Sequence, residues 1–384
     1  MISPDEFIVQ LLKQGIDFYT GVPDSLLKHL CRAISSAEKP TQHITACNEG
    51  TAMGIAIGYY LATNKTPAIY LQNSGLGNLI NPYCSLSDIH VYSIPALLII
   101  GWRCELSDNG QQIHDEPQHV KQGKVTLSLL ETLDIPYLVM DAEQQGPQDA
   151  IVALLEKAQR EKRPVALVCR KNTFSAVENT SPAPFTPLSG DMTREEIVAH
   201  CLKKLPADAP IVSTTGMLSR ELYELREQQQ SGHARDFLTV GGMGHASQIA
   251  LGIALASPKR RVVCLDGDGA LLMHMGGLTN TAQRDNLLHI VVNNGVYDSV
   301  GGQPTMAMHL CLSDIARAAG YRYAQTVRTP QQLHDSLTAA LSQPQSAFIE
   351  VLSRPGNRAD LGRPKRSPIE NKTEFMAFLQ ERRA

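Results

Sequence analysis

Val262-Val-Cys-Leu-Asp-Gly-Asp-Gly-Ala270 and His289-Ile-Val-Val-Asn-Asn-Gly295 decide how this chain reads. Each is an apolar run that ends abruptly in small or amide residues. A strand that passes straight into Gly267-Asp268-Gly269 can turn tightly and let a phosphate approach its backbone. Open α/β sheets bind ligands outside the carboxyl ends of their strands, so Asp268 is expected at the mouth of a sheet. Mg²⁺ takes octahedral oxygen ligands, commonly a carboxylate with neutral carbonyls, water and phosphate. Asp268, the Asn294 amide oxygen and a backbone carbonyl just beyond it, that of Val296, offer that mixture. Taken singly, Gly-Asp-Gly is also an ordinary turn and Asn-Asn-Gly an ordinary hairpin. Two such strand ends about one helix apart point to a metal–diphosphate cradle.

Working outward, strand-like runs alternate with helix-like stretches. In the first half the runs are Ile16–Thr20, His43–Cys47, Ala68–Gln72, Ala96–Gly101, Tyr137–Met140 and Val165–Cys169. Helix-like stretches such as Glu49–Ala62 and Gln148–Glu161 lie between them. The rhythm breaks over Lys171–Met192, which holds Pro182, Pro184 and Pro187 and no periodic apolar face. It restarts with Ile211–Thr214, Phe237–Val240, Val262–Leu265, Ile290–Val292, Tyr321–Thr326 and Phe348–Leu352. Thr193 and Glu196 are placed for a capping box. Buried strands separated by helices argue for parallel sheets covered on both faces. The expectation is an α/β protein of two doubly wound parallel-sheet domains, residues 1–175 and 193–384, joined by a linker at 176–192.

The bulk numbers exclude several classes. With 384 residues and 43% apolar content, two domains can each bury a core. A net charge of −3 and only short basic runs such as Lys365-Arg366 leave no nucleic-acid patch. No apolar run approaches a membrane span, and no signal peptide is apparent. Eight scattered cysteines without a CxxC pair suit a reducing compartment. A cytoplasmic protein is expected.

The paired motifs resemble the signature of the thiamine-diphosphate enzyme superfamily, GDG followed by NN, and the likeness covers nearly the whole chain. The resemblance implies thiamine diphosphate and Mg²⁺ as cofactors, with Asp268, Asn294 and Val296 as metal ligands. In that family one domain holds the diphosphate and the other the aminopyrimidine ring, usually across a dimer interface. Ala46-Cys-Asn-Glu-Gly-Thr-Ala-Met-Gly-Ile-Ala-Ile-Gly-Tyr59 matches the segment whose glutamate meets that ring. Glu49 is therefore expected to share a proton with it; without the cradle it would read as a first-turn residue on a helix dipole. In Thr239-Val-Gly-Gly-Met-Gly-His-Ala-Ser-Gln248, the resemblance sets Met243 beneath the bent cofactor and the Gly241 carbonyl against its amino group. It adds Gly75, Gly216, Gly267, Gly269 and Ala270 as cofactor contacts. No middle domain is expected, and a homodimer or dimer of dimers follows.

Six further segments resemble the phosphonopyruvate decarboxylase family: Gly21-Val-Pro-Asp-Ser-Leu-Leu27, Leu71-Gln-Asn-Ser-Gly-Leu-Gly-Asn78, Asp115-Glu-Pro-Gln-His119, Gly269-Ala-Leu-Leu-Met-His-Met-Gly276, Asp298-Ser-Val-Gly-Gly-Gln-Pro-Thr305 and Asp360-Leu-Gly-Arg-Pro364. Sulfopyruvate decarboxylase is similar and shares the GVPDS-type opening. The resemblance implies loss of CO₂ from 3-phosphonopyruvate to give phosphonoacetaldehyde, a step of phosphonate biosynthesis. Such a substrate has a second anionic group and calls for donors and positive charge. The candidates are Ser25, Asn73, Ser74, Arg103, His119, Ser299, Gln303, Arg358 and Arg363, although Arg358 and Arg363 also suit a solvated tail. The family has His where Tyr297 stands and Lys where Met217 stands, and Cys104–His114 is longer here.

His119 is the candidate acid for the final protonation, since imidazole can donate near neutral pH; a surface histidine is the alternative. Glu221 is a weaker candidate, and His274 could be simply packed. Rival functions are sulfopyruvate decarboxylation, a carboligase, and a catalytically inactive regulatory partner.

Overall fold

The computed structural model describes residues 1–36, 41–107, 109–141, 148–177 and 190–381. The chain divides into two compact units, Met1–Phe185 and Thr186–Ala384.

The first unit contains β1 (Phe18–Gly21), β2 (Gln42–Thr45), β3 (Ala68–Gln72), β4 (Leu97–Gly101), β5 (Tyr137–Met140) and β6 (Val165–Cys169). They form one parallel sheet in the order β2-β1-β3-β4-β6-β5. Alternate residues serve two cores. Tyr70, Leu97, Ile99 and Leu167 face one, while Leu71, Leu98, Ile100 and Val168 face the other. This period of two explains why these strands read as unbroken apolar runs.

The second unit contains β7 (Met192–Thr193), β8 (Ile211–Ser213), β9 (Asp236–Leu238), β10 (Val262–Gly267), β11 (Leu287–Asn293), β12 (Val296–Tyr297), β13 (Gln303–Pro304), β14 (Tyr323–Val327) and β15 (Ala347–Arg354). The main sheet runs β14-β15-β11-β10-β8-β9, with β7 added on β15, and its pairs are parallel. Counting the six main strands of each unit in chain order gives 2-1-3-4-6-5 in both sheets. Strand order therefore reverses between β1 and β3 and again between β8 and β10. Those reversals open the crevices in which such sheets bind ligands.

All twelve expected strands form, with ends shifted by a few residues. The helices Glu49–Thr63 and Gln148–Glu161 also form, and Thr193 and Glu196 make the capping box. The antiparallel β12–β13 pair was not expected.

Most of the expected linker, residues 178–189, lies outside the described residues. Its described ends are docked. Phe174 is buried, and the Val177 amide donates to His29 Nδ1 at 3.4 Å. On the other side Met192 is buried and pairs with Ser353. Each unit thus extends a little into the stretch expected as linker, because those few residues still bury apolar surface or complete a strand edge.

Candidate active site

In the second unit the loops after β8, β10 and β11 converge on one sheet edge. Gly216, with φ 99°, starts the helix Met217–Gln229, and Gly267 starts the helix Asp268–Met273. A Cβ on Gly269 would lie 2.5 Å from the Tyr297 ring, so only glycine fits there. Asp268 is 4% exposed and accepts a hydrogen bond from the Thr305 hydroxyl at 2.5 Å. Among the described residues no cation partners it. Burial pushes its carboxyl up to about 7, although Thr305 pulls the other way. A buried carboxylate of this kind fits the oxygen chemistry that Mg²⁺ requires. The Thr214 hydroxyl, buried and unpartnered, lies on the neighbouring loop.

Asn294 stands next to this turn with its orientation fixed. Its amide nitrogen donates to Asp298 at 2.7 Å, and its oxygen accepts from the Val296 amide at 3.1 Å. A carboxylate can only accept here, so the nitrogen must face Asp298 and the oxygen must face away. Asp298 is held in turn by Arg194 at 2.7 Å and by the Gly356 amide at 3.0 Å. Met243 is half-buried in a turn between Gly242 (φ 63°) and Gly244 (φ 91°). A Cβ on Gly244 would come within 2.7 Å of His274 and 3.0 Å of the Ala270 carbonyl, so the Gly241–Gly244 turn packs on the Asp268–Met273 helix.

In the first unit Glu49 opens its helix directly after β2 and is 4% exposed. Its carboxylate accepts from the Asn78 amide at 2.8 Å. A Cβ on Gly75 would lie 2.2 Å from Glu49 Oε1. Burial raises its proton affinity, and the Asn78 hydrogen bond only partly offsets that.

Family models for thiamine pyrophosphate enzymes match both units. The N-terminal thiamine pyrophosphate-binding domain matches residues 4–125, and the C-terminal one matches residues 214–351. The phosphonopyruvate decarboxylase of Streptomyces viridochromogenes is 34% identical, over 99% of this chain and 95% of the relative. That of Streptomyces hygroscopicus is also 34% identical, over the same shares. The sulfopyruvate decarboxylase of Methanosarcina acetivorans is 28% identical over 93% of each chain.

The chain belongs to the thiamine pyrophosphate enzyme family.

Within this thiamine pyrophosphate enzyme, the cofactor positions expected from sequence sort by unit. Gly216, Gly241, Met243, Gly267, Asp268, Gly269, Ala270, Asn294 and Val296 gather in the second, and Glu49 with Gly75 in the first. The substrate candidates do not all gather. Asn73 is buried with its amide spent: its nitrogen donates to the Arg103 carbonyl and to Thr126, and its oxygen accepts from the Arg103 amide. It positions Arg103 and has no donor left for a ligand. Ser74 donates to Gln72 at 2.7 Å, and Gln72 donates to the fully buried Asp24 at 2.7 Å. Ser25 accepts from Arg103 at 2.9 Å. Ser299 is exposed, its hydroxyl 3.8 Å from the place of a Gly216 Cβ. Gln303 is buried with both amide atoms unpartnered.

Arg358 is corrected as a candidate. It is committed to Glu195, Glu224 and Asp360, so its charge is already neutralised. Arg363 is exposed on the same stretch. Glu221 is gripped by Arg194 in a buried two-bond pair at 2.7 and 2.9 Å, although burial still raises its proton affinity. His274 stacks on His245 with ring centroids 4.4 Å apart. His119 is buried, and burial, reinforced by Arg103, pushes its pKa down to about 4. It is therefore neutral near pH 7, so the acid expected at this position would act as a neutral N–H donor. Sequence reasoning missed Asn78, Asp24, Asp298 and Thr305 as site residues. All four lie in quoted segments, but their partners are 29, 48, 104 and 37 residues away in sequence.

Proposed function

We propose that this chain is a thiamine diphosphate- and Mg²⁺-dependent carboxy-lyase that converts 3-phosphonopyruvate to phosphonoacetaldehyde and CO₂. The single observation that carries the reading is the full-length likeness at 34% identity to two phosphonopyruvate decarboxylases. The side-chain geometry supports the cofactor half of it. In this reading 1–175 is the pyrimidine-binding domain and 193–384 the diphosphate-binding domain. Asp268, the Asn294 oxygen and the Val296 carbonyl hold Mg²⁺. The glycines at 216, 267 and 269 admit the diphosphate, and Gly241 and Met243 shape the cofactor's seat.

When bound, the cofactor supplies the carbon nucleophile and the electron sink for CO₂ loss. The chain's residues bind, orient and move protons. Glu49, kept from water with its proton affinity raised, exchanges a proton with the pyrimidine ring and is held in line by Asn78. Asp298 and Arg194 fix the Asn294 amide so that its oxygen is presented to the metal. Buried walls around these groups keep water away and favour loss of the substrate's carboxylate charge. His119 offers an N–H to the product-forming step.

The protein is further proposed to act in the cytoplasm as a homodimer or a dimer of dimers, with Glu49 of one copy serving a cofactor held by the other. A monodisperse monomer with full activity would overturn that. The deciding assay sets phosphonopyruvate beside sulfopyruvate and pyruvate, with thiamine diphosphate and Mg²⁺ present. Phosphonoacetaldehyde as the dominant product supports the proposal. Preference for sulfopyruvate would transfer the chain to the second reading, which the 28% identity to a sulfopyruvate decarboxylase keeps in view. A carboligation product on adding aldehyde, or no turnover at all, would overturn both.

A further inference from the structure

We propose that Arg103 receives the second anionic group of the substrate, and that Asp115 holds that place when no substrate is bound. The inference rests on the phosphonopyruvate-type reading of the reaction and assigns that reading's missing positive charge.

Arg103 stands two residues beyond the end of β4, beside the reversal between β1 and β3. Its backbone is locked on both sides by Asn73, whose amide is anchored on Thr126. Its guanidinium is half-buried and forms two parallel bonds to Asp115, at 2.7 and 2.6 Å. Burial alone would raise the Asp115 carboxyl, but Arg103 outweighs it and holds Asp115 ionised. A third N–H reaches the Ser25 hydroxyl at 2.9 Å.

A guanidinium fork recognises two oxygens of a planar or tetrahedral oxyanion in one geometry. Asp115 already occupies that geometry, so a phosphonate can exchange with it without moving the arginine. One more group at the spot is unspent: the Ser25 hydroxyl proton has no partner among the described residues and can donate to a third oxygen. Arg358, by contrast, is shared among three carboxylates, Glu195, Glu224 and Asp360.

The exchange also sets a threshold. A phosphonate near neutral pH carries more than one charge, as a phosphate monoester does, whereas a sulfonate carries one. Asp115 competes more successfully against the weaker claim.

The test measures binding of 3-phosphonopropionate, a non-reacting ligand with both anionic groups, to the cofactor-loaded enzyme by calorimetry. Arg103→Met should weaken it about 100-fold, as expected for loss of a two-bond charged contact, with cofactor affinity unchanged and a fall in melting temperature no larger than that of Arg103→Lys. Arg103→Lys should recover part of the loss. Asp115→Asn should tighten binding several-fold and narrow the preference for phosphonopyruvate over sulfopyruvate. Unchanged binding in Arg103→Met would overturn the proposal. So would equal losses in the Met and Lys variants with a fallen melting temperature, which would mark Arg103 as structural. Weakening in Asp115→Asn would overturn the placeholder role. If the wild type binds 3-phosphonopropionate through Arg103 but does not decarboxylate phosphonopyruvate, the substrate reading fails and the anion site stands.

Discussion

Asn78 donates its side-chain amide to the Glu49 carboxylate at 2.8 Å, across 29 residues of sequence. A donor to a carboxylate favours its ionised form, and burial favours the protonated form. The two together set how readily Glu49 takes and returns a proton. Glu49→Gln is expected to abolish turnover while thiamine diphosphate still binds within a few-fold. Asn78→Leu removes the donor, so the acid limb of the kcat/KM profile should move to higher pH. A profile that stays put would separate Asn78 from the proton-handling role.

Gly75 leaves no room for a side chain, since a Cβ would stand 2.2 Å from Glu49 Oε1. Gly75→Ala must push the carboxylate aside. Overpacking of this kind costs about 1–3 kcal/mol, and misplacing a reacting group by about 1 Å can cost about 100-fold in rate. Chemical denaturation and kcat should both show it. Wild-type kcat in that variant would contradict the close contact.

Asp268 has a folded-state pKa of about 7, above its ordinary 3.8. The folded protein without metal therefore binds more protons than the unfolded chain between those values. Its stability should fall as pH rises from about 4 to about 7 and then level. With Asp268 as the proposed ligand, Mg²⁺ bound with diphosphate would supply a counter-charge, so the gap in melting temperature between loaded and unloaded protein should widen across that window. A gap independent of pH, or one retained in Asp268→Asn, would argue against Asp268 as the ligand.

Asp298 gathers Asn294, Arg194 and the Gly356 amide on one carboxylate. Asp298→Ala frees the Asn294 amide to rotate and strips Arg194 of one partner. Removing one member of a buried ionic network costs about 3–5 kcal/mol; since Arg194 keeps Glu221, a loss nearer the lower figure is expected. Mg²⁺ dependence should weaken as well. Calorimetric unfolding and metal titration check the two effects separately.

Arg226 and Asp236 form a fully buried pair at 2.7 Å, outside the residues assigned to cofactor or substrate. Arg226→Met leaves Asp236 uncompensated and should cost about 3–5 kcal/mol of stability. Enzyme that remains folded should keep its kcat. A fall in kcat without a fall in stability would show that this pair does more than brace the edge of the sheet.

Much of this protein was legible before any coordinate. The apolar runs gave every main strand, because a strand buried on both faces has no polar alternation to disguise it. The Gly-Asp-Gly and Asn-Asn motifs put Asp268 and Asn294 at the ends of two neighbouring strands, where the structure has them, since glycine permits the tight turn at a strand end. Glu49 was legible only through its resemblance, as its local pattern is that of any helix start.

Tertiary structure decided which of the polar residues are free. Arg358, Arg103 and Glu221 look alike in sequence as available charges, yet each is engaged by partners of opposite charge in the fold. Asn73 was expected to touch substrate and instead clamps the Arg103 backbone. Sequence records a residue's chemistry and its local period. Whether that chemistry is consumed depends on partners brought together by the 2-1-3-4-6-5 strand order, which places segments 30 to 100 residues apart side by side.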